Sequence, residues 1–379
     1  MRSKLVMAVV GTLLLAGATA CGEDSTASSS TTTGDSAAVE AAQAEIEEAS
    51  TPLTFTAPGP PLDASKSRGS SIHVVALNLQ VPLLSHISEY VSEVGGELGM
   101  KVSIHNADDQ VTGMQKGIQD AIAQRADALL ILGVPVDLVR SALQDAKAAG
   151  IPVINVLNNP IDMDAPGQGA GEEFYASVGT DLGLGGRLIA EKAIVDTDGQ
   201  ANVLFVDSEG LSPQPPVAAA VKETLGECDG CTLETKNVPV ANWGTDITPL
   251  VVTSLRANPN INYVITLFDS MAIFATAGVQ QAGAAGTVHV VSHNGGSAAL
   301  SLVKKGDVMT ADPGVSEEWA GWAAIDQAMR GMQGLEPGDP MVPYLYLDTA
   351  SVQDVDVENE RDVYGDPFVA GFRELWGLE

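Results

Sequence analysis

The chain has 379 residues, with 19 Lys and Arg against 49 Asp and Glu, a net charge of −30 at pH 7. That length accommodates two domains, each with its own core. The acidity argues against nucleic acid or anionic lipid headgroups as partners, because both require a basic surface, and it serves solubility instead.

The first residues read as an export signal. Arg2 and Lys4 precede an apolar stretch from Leu5 to Ala18 that is too short and too rich in small residues for a stable membrane span. Ala18-Thr-Ala-Cys21 resembles a bacterial lipobox, with Ala18 where Leu is usual. On that reading residues 1–21 are a lipoprotein signal peptide and Cys21 carries the lipid, so the mature protein is anchored to the membrane without crossing it. Residues 22–36 are low-complexity and polar and predict a disordered tether. Ala37 to Ala49 has helix formers, and four prolines between Pro52 and Asp63 predict an extended segment. Residues 37–70 are therefore expected to form a helix plus a proline-rich strap. Its apolar Leu53 and Phe55 suggest that it lies on the first lobe.

The globular part starts near Ser71. Strands are expected over 72–78, 101–105, 128–134, 151–156 and 175–179, with helices over 82–98 and 111–125 and a third after Val134. Pro82 suits a first helical position. A helix over 184–195 opens a second series. It continues with strands at 202–206, 232–238, 263–267, 287–291 and 308–311, and with helices after Pro216 and over 245–257 and 297–305. A long amphipathic helix is expected over 316–332, a late strand over 342–348 and a last helix over 367–376.

The most telling feature is a repeated layout. Ala128 to Val134, a helical stretch, Lys147-Ala-Ala-Gly150 and Ile151 to Val156 are matched by Tyr263 to Leu267, a helical stretch, Gly283-Ala-Ala-Gly286 and Thr287 to Val291. Short β-branched runs fit strands buried on both faces of a parallel sheet. A glycine after each helix suits a left-handed C-cap. The expected class is α/β, with two Rossmann-like lobes of parallel sheet and a ligand cleft beyond the strand carboxyl ends. Cys228-Asp-Gly-Cys231, in an exported chain, is read as a small loop disulfide. It lies between a helix and a strand, unlike a thioredoxin-type motif, and no His lies nearby to complete a zinc site.

Four segments together resemble the periplasmic sugar-binding proteins of ABC importers, the type I solute-binding fold of ribose- and galactose-binding proteins. They are Asp145 to Ile154, Val178-Gly-Thr-Asp181 with Gly185-Gly186-Arg187, Ala257-Asn-Pro-Asn260 and Asp269-Ser-Met-Ala272. The lipobox and tether look like Gram-positive members. The resemblance implies a three-strand hinge, with crossings near 178–181, 310–314 and 341–344. The N-terminal lobe would then be 71–179 and 313–341, and the C-terminal lobe 180–312 and 342–379. It also implies a small-molecule ligand such as a sugar or polyol, ABC permease subunits as partners, a monomer, and no cofactor, metal or catalytic residue.

Ligand positions carried over by resemblance are Gln80, Leu83, Leu84, Asn158, Gln214, Trp243, Phe268, His293 and Asn294. Aliphatic Leu83 and Leu84 stand where such proteins usually carry rings, and Leu157 and Asn158 stand where many carry Asp-Arg. The pocket has thus lost charge and gained apolar surface. A buried hydrogen bond left unmade costs ~1–3 kcal/mol, so a deoxy-sugar, glycoside, polyol or cyclic, more apolar metabolite fits better than a common aldose. Asp181 and Asp269 read as helix N-caps. His73, His86 and His105 lack metal-ligand spacing and read as structural. Trp319 and Trp322 are expected to pack on the sheet. No nucleophile elbow, phosphate loop, zinc-protease motif or dinucleotide fingerprint is present. The export signal occupies the place where a transcription regulator of this fold would carry its DNA-binding helices. The alternative is a receptor subunit for a more apolar cyclic or aromatic metabolite, reporting to a membrane sensor.

Overall fold

The computed structural model describes residues 36–157 and 171–378. Five parallel strands form the first sheet: β1 (Ser71–Ala76), β2 (Lys101–Asn106), β3 (Ala128–Leu132), β4 (Val153–Val156) and β5 (Ala176–Val178). Their order is β2-β1-β3-β4-β5. Helices α2 (Pro82–Glu97), α3 (Val111–Gln124) and α4 (Val136–Ala148) connect them. A second sheet repeats the plan with β6 (Asn202–Asp207), β7 (Thr232–Asn237), β8 (Tyr263–Thr266), β9 (His289–Val291) and β10 (Met309–Ala311), in the order β10-β9-β8-β6-β7. Its helices are α5 (Leu182–Asp196), α6 (Gln214–Gly226), α7 (Trp243–Ala257), α8 (Asp269–Gln281) and α9 (Ser297–Lys305). All five residues of β3 and all four of β8 are buried. Helices cover both faces of each sheet, which is what permits unbroken apolar runs. In both sheets the chain reverses strand order beside the first strand, the place where open α/β sheets leave a crevice.

Three segments pass between the lobes at the expected places. Gly179 bridges to Met341, Asn294 bridges to Gly314, and β11 (Gly314–Val315) pairs antiparallel with β12 (Tyr344–Leu345). The late strand is thus shorter than the sequence suggests. Gly314 is required by a close approach: a Cβ there would lie 2.4 Å from the Gly295 Cα and 2.4 Å from the Tyr364 hydroxyl.

Helix α10 (Glu317–Met332) packs on α2 and on β3, β4 and β5, so it belongs to the first lobe. Two expectations about the chain ends need correction. The C-terminal stretch does not all join the second lobe. Short α11 (Glu360–Tyr364) ties to α10 through Arg361 and Glu318, 2.9 Å apart, and α12 (Pro367–Leu375) packs on α10. There Trp322 stacks on Trp376 with centroids 5.3 Å apart, and Trp319 lies 5.0 Å from Phe368. The two α10 tryptophans therefore meet the terminal helix rather than the sheet. Nor does the strap lie on one lobe alone. Helix α1 (Ser36–Ala49) packs on α5 of the second lobe, whereas Phe55 to Leu62 contact α10 and α12. Aromatic and polar matching between remote segments decided both placements, and neither is written in local periodicity. Cys228 and Cys231 are joined as a disulfide in the turn between α6 and β7. Cys21 and residues 158–170 lie outside the described residues.

Candidate functional site

On the second lobe the strand-end turns assemble one continuous patch. Strand β8 runs into Phe268, whose extended backbone precedes α8, and α7 begins at Trp243. The Trp243 indole N–H donates to the Ser208 hydroxyl and the Val238 carbonyl, both at 3.1 Å, so the ring is held edge-in with its polar handle spent. Its centroid lies 6.3 Å from Phe268, which lies 5.6 Å from His293, which lies 6.2 Å from Tyr344. Four rings therefore run from the second-lobe wall to the third crossing.

Most polar groups around this row are tied down, although His293 Nε2 is buried without a hydrogen-bond partner. His293 is fully buried, and its Nδ1 is 3.2 Å from the Tyr344 hydroxyl. Burial depresses its pKa to about 4, so the ring is neutral at pH 7. Gln214 donates its amide to both oxygens of buried Asp207, at 3.0 and 2.9 Å. The same carboxylate accepts the Ser208 N–H at 2.7 Å, which links Gln214 through Ser208 to Trp243. Asn294 stands at φ 133°, in the left-handed half of the map, and hydrogen-bonds Asp269.

Asp269 is not the expected N-cap. It is the first residue of α8, and its Oδ2 accepts the Gly296 N–H at 3.1 Å, which fixes the turn after β9. Burial, reinforced by the nearby Glu317 charge, raises its pKa to about 6. Asp181 does cap α5, accepting the Leu184 N–H at 2.9 Å.

On the first lobe the loop after β1 is anchored from behind. Asn78 donates to Asp109 at 2.5 Å and accepts from the Gln80 N–H at 2.9 Å, and Asn106 accepts from the Leu79 N–H at 3.1 Å. Gln80 is exposed and Leu83 half-buried at the end of the sheet that corresponds to the second-lobe patch. Leu84 is corrected from lining to core. It is 7% exposed, and its side chain lies 2.7 Å from where a Gly133 Cβ would stand. Asn158 falls outside the described residues.

The structure adds residues that sequence reasoning did not single out. Asp312, in the second crossing, is fully buried; its Oδ2 accepts the Gly295 N–H at 3.1 Å, while its Oδ1 has no partner. Burial pushes its pKa well above the usual range. Thr180, in the first crossing, has a buried hydroxyl without a partner, and Tyr344 in the third meets His293. Their one sequence signal was position, since all three fall on or beside the expected crossings. The arrangement offers flat apolar faces beside neutral or protonatable hydrogen-bonding groups, which suits an uncharged, partly polar molecule. Among the described residues no group of three His, Cys, Asp or Glu could hold a metal ion.

Comparison with known proteins agrees with this fold. The chain is 23% identical over 275 residues to the xylitol-binding protein of Mycolicibacterium smegmatis, covering 70% of this chain and 74% of that protein. It is 25% identical over 249 residues to the ribose import binding protein of Bacillus subtilis, covering 64% and 76%. In fold it is similar to an ABC transporter solute-binding protein of Bacillus halodurans solved with bound myo-inositol, at TM-score 0.67 and 20% identity, covering 76% of this chain and 97% of that one. A 5-methylthioribose-binding protein of Thermotoga lettingae gives TM-score 0.68 at 18% identity, covering 83% and 100%. The family model of the periplasmic binding protein domain matches residues 82–336, and the chain belongs to that family.

Proposed function

We propose that the protein is the extracytoplasmic solute-binding component of an ABC importer, that it holds an uncharged sugar or polyol between its lobes, and that Cys21 anchors it by lipid to the outer face of the membrane. Family membership supports the class of function, a binding protein and not an enzyme. The part-exposed rings of Trp243 and Phe268 carry the ligand reading, because tilted apolar faces backed by the buried neutral imidazole of His293, beside the amides of Gln214 and Asn294, favour hydroxyls over charge. Gln80 and Leu83 serve as the facing wall, and the resemblance adds Asn158 to the candidates. Ligand bridges the two walls and the lobes close because the closed state gains contacts that the open one lacks. No helix among the described residues is long and apolar enough to cross a membrane; in this proposal the lipid on Cys21 supplies the attachment.

Calorimetric titration with xylitol, ribose, myo-inositol and 5-methylthioribose tests this. Binding of a polyol or sugar without chemical change to it is expected. If 5-methylthioribose alone binds, the pocket serves a more apolar metabolite, the second reading that aliphatic Leu83 favours. Turnover of any bound compound would overturn the proposal.

A further inference from the structure

The strap is fastened at both ends, and the ends belong to different lobes. On the second lobe, Arg187 Nε of α5 donates to both carboxylate oxygens of Glu45 on α1, at 3.0 and 3.1 Å. Glu191 of α5 is only 5% exposed, its Oε2 is buried without a hydrogen-bond partner, and its carboxyl interacts with that of Glu45, an arrangement that favours a proton on Glu191. The last carbonyl of α1, at Ala49, accepts the Tyr346 N–H of the third crossing at 2.8 Å.

On the first lobe the Phe55 ring lies edge-on to Phe372, with centroids 4.9 Å apart, over Gly371, where a Cβ would fall 2.0 Å from the ring. The Pro58 carbonyl accepts the Asp339 N–H at 2.6 Å, the Pro60 carbonyl accepts Arg330 Nη2 at 2.9 Å, and the Leu62 N–H donates to Leu375 at 2.9 Å.

Only residues 50–54 join the two anchors, and extended chain reaches at most ~3.6 Å per residue. They lie over a cavity of about 280 Å³ bordered by Pro52, Leu53, Tyr346, Val352 and Tyr364, so this span is not packed solid. Lobes that part beyond its slack must pull one anchor loose. A helix as short as α1 is marginal on its own and depends on its packing against α5, so once undocked it frays.

We propose that the strap is a latch on lobe opening, held to the second lobe by a proton shared between Glu45 and Glu191, so that acid keeps it fastened and alkali frees it. This rests on the reading that the lobes part and close. Burial, then the hydrogen bond with Glu45, pushes Glu191 up to about 9. For Glu45, burial works the other way but is outweighed by the bonds from Glu191 and Arg187, which hold it below the usual range. The other groups facing the pair are Asp181, 3.8 Å from Arg187, and Tyr346. The docked strap thus binds a proton that free Glu191 releases near pH 4.5. Docking is strongest below that pH on account of Glu191 and weakens by at most ~tenfold per pH unit as pH climbs towards 9. The opposite slope from Glu45 is confined to more acid solution.

The test uses the full mature chain without ligand, carrying one spin label on α3 and one on α8. Inter-lobe distances are measured from pH 5.5 to 9. Wild type is expected to broaden and lengthen as pH rises. Phe55→Ala should already be long at pH 5.5, and Glu191→Gln, which keeps a donor towards Glu45, should stay short throughout. A Phe55→Ala distribution identical to wild type at pH 5.5 overturns the latch, as does a Glu191→Gln variant that follows the wild-type pH course. Neither measurement involves a ligand, so failure of the polyol titration leaves this result standing on its own.

Discussion

Trp243 is the residue on which the ligand reading turns. Its N–H is already committed to Ser208 and Val238, so what it offers a ligand is its face. Trp243→Ala is expected to weaken binding of the true ligand by about 10- to 100-fold, ~1.4–2.7 kcal/mol, with the ligand-free melting temperature nearly unchanged. Titration calorimetry beside a thermal melt checks both halves, and unaltered affinity removes Trp243 from the site. Asp269 carries a pH signature. Its folded pKa of about 6 lies above the ordinary 3.8. The stability it contributes is therefore complete below pH 3.8 and lost as pH rises through 6. Asp269→Asn should flatten the fall in stability across that window, by a slope of at most ~1.4 kcal/mol per pH unit. Denaturant unfolding at pH 4, 5, 6 and 7 reads this, and a variant curve parallel to wild type would refute it.

At the scale of elements, the pairing of α10 with α12 holds the chain terminus to the first lobe. Asp326 is the polar centre of that pairing. It accepts from Arg330 Nε at 2.7 Å, Gln327 at 2.8 Å and the Trp376 indole at 2.9 Å, and both it and Arg330 are buried. Removing one partner strands the other without solvent. Asp326→Ala should thus cost ~3–5 kcal/mol in urea unfolding, far more than an exposed pair would. Methionine or leucine at both 326 and 330 should recover much of the loss, since a well-packed apolar pair avoids the desolvation penalty. The same helix shows what local pattern left open. Trp319 and Trp322 were legible as buried, but their partners Phe368, Phe372 and Trp376 lie 49 to 54 residues away and answer only to ring-on-ring fit.

The whole molecule is two copies of one sheet plan joined by the three crossings, with the return of the chain to α11 and α12 and the strap as further links. If the lobes close on a ligand, solution scattering should report a smaller radius of gyration at saturation. A ligand at about 100 times its dissociation constant should also add ~2.7 kcal/mol to stability. Binding without compaction would end the hinge account while leaving the site itself intact. The unpartnered oxygen of Asp312 and hydroxyl of Thr180 lie in the crossings, where both lobes converge. Ligand hydroxyls that reach them would relieve a buried polar cost of ~1–3 kcal/mol each.

Local chemistry alone determined the duplicated half and most of the strands and helices, though not short α11 or the length of the late strand. Short β-branched runs, proline at helix starts and glycine at helix ends act within a few residues of themselves, and the second sheet repeats the first in the same order. The resemblance they supported also put Gln214, Trp243, Phe268, His293 and Asn294 at strand ends, where the structure unites them. Tertiary structure decided the rest. It sent Leu84 into the core beneath Gly133, turned Asp269 from a cap into a tie for Gly296, buried Asp312, divided the strap between the lobes and returned α12 to the first. Each of those outcomes depends on contact between segments remote in the chain, where shape and desolvation, rather than periodicity, set the free energy.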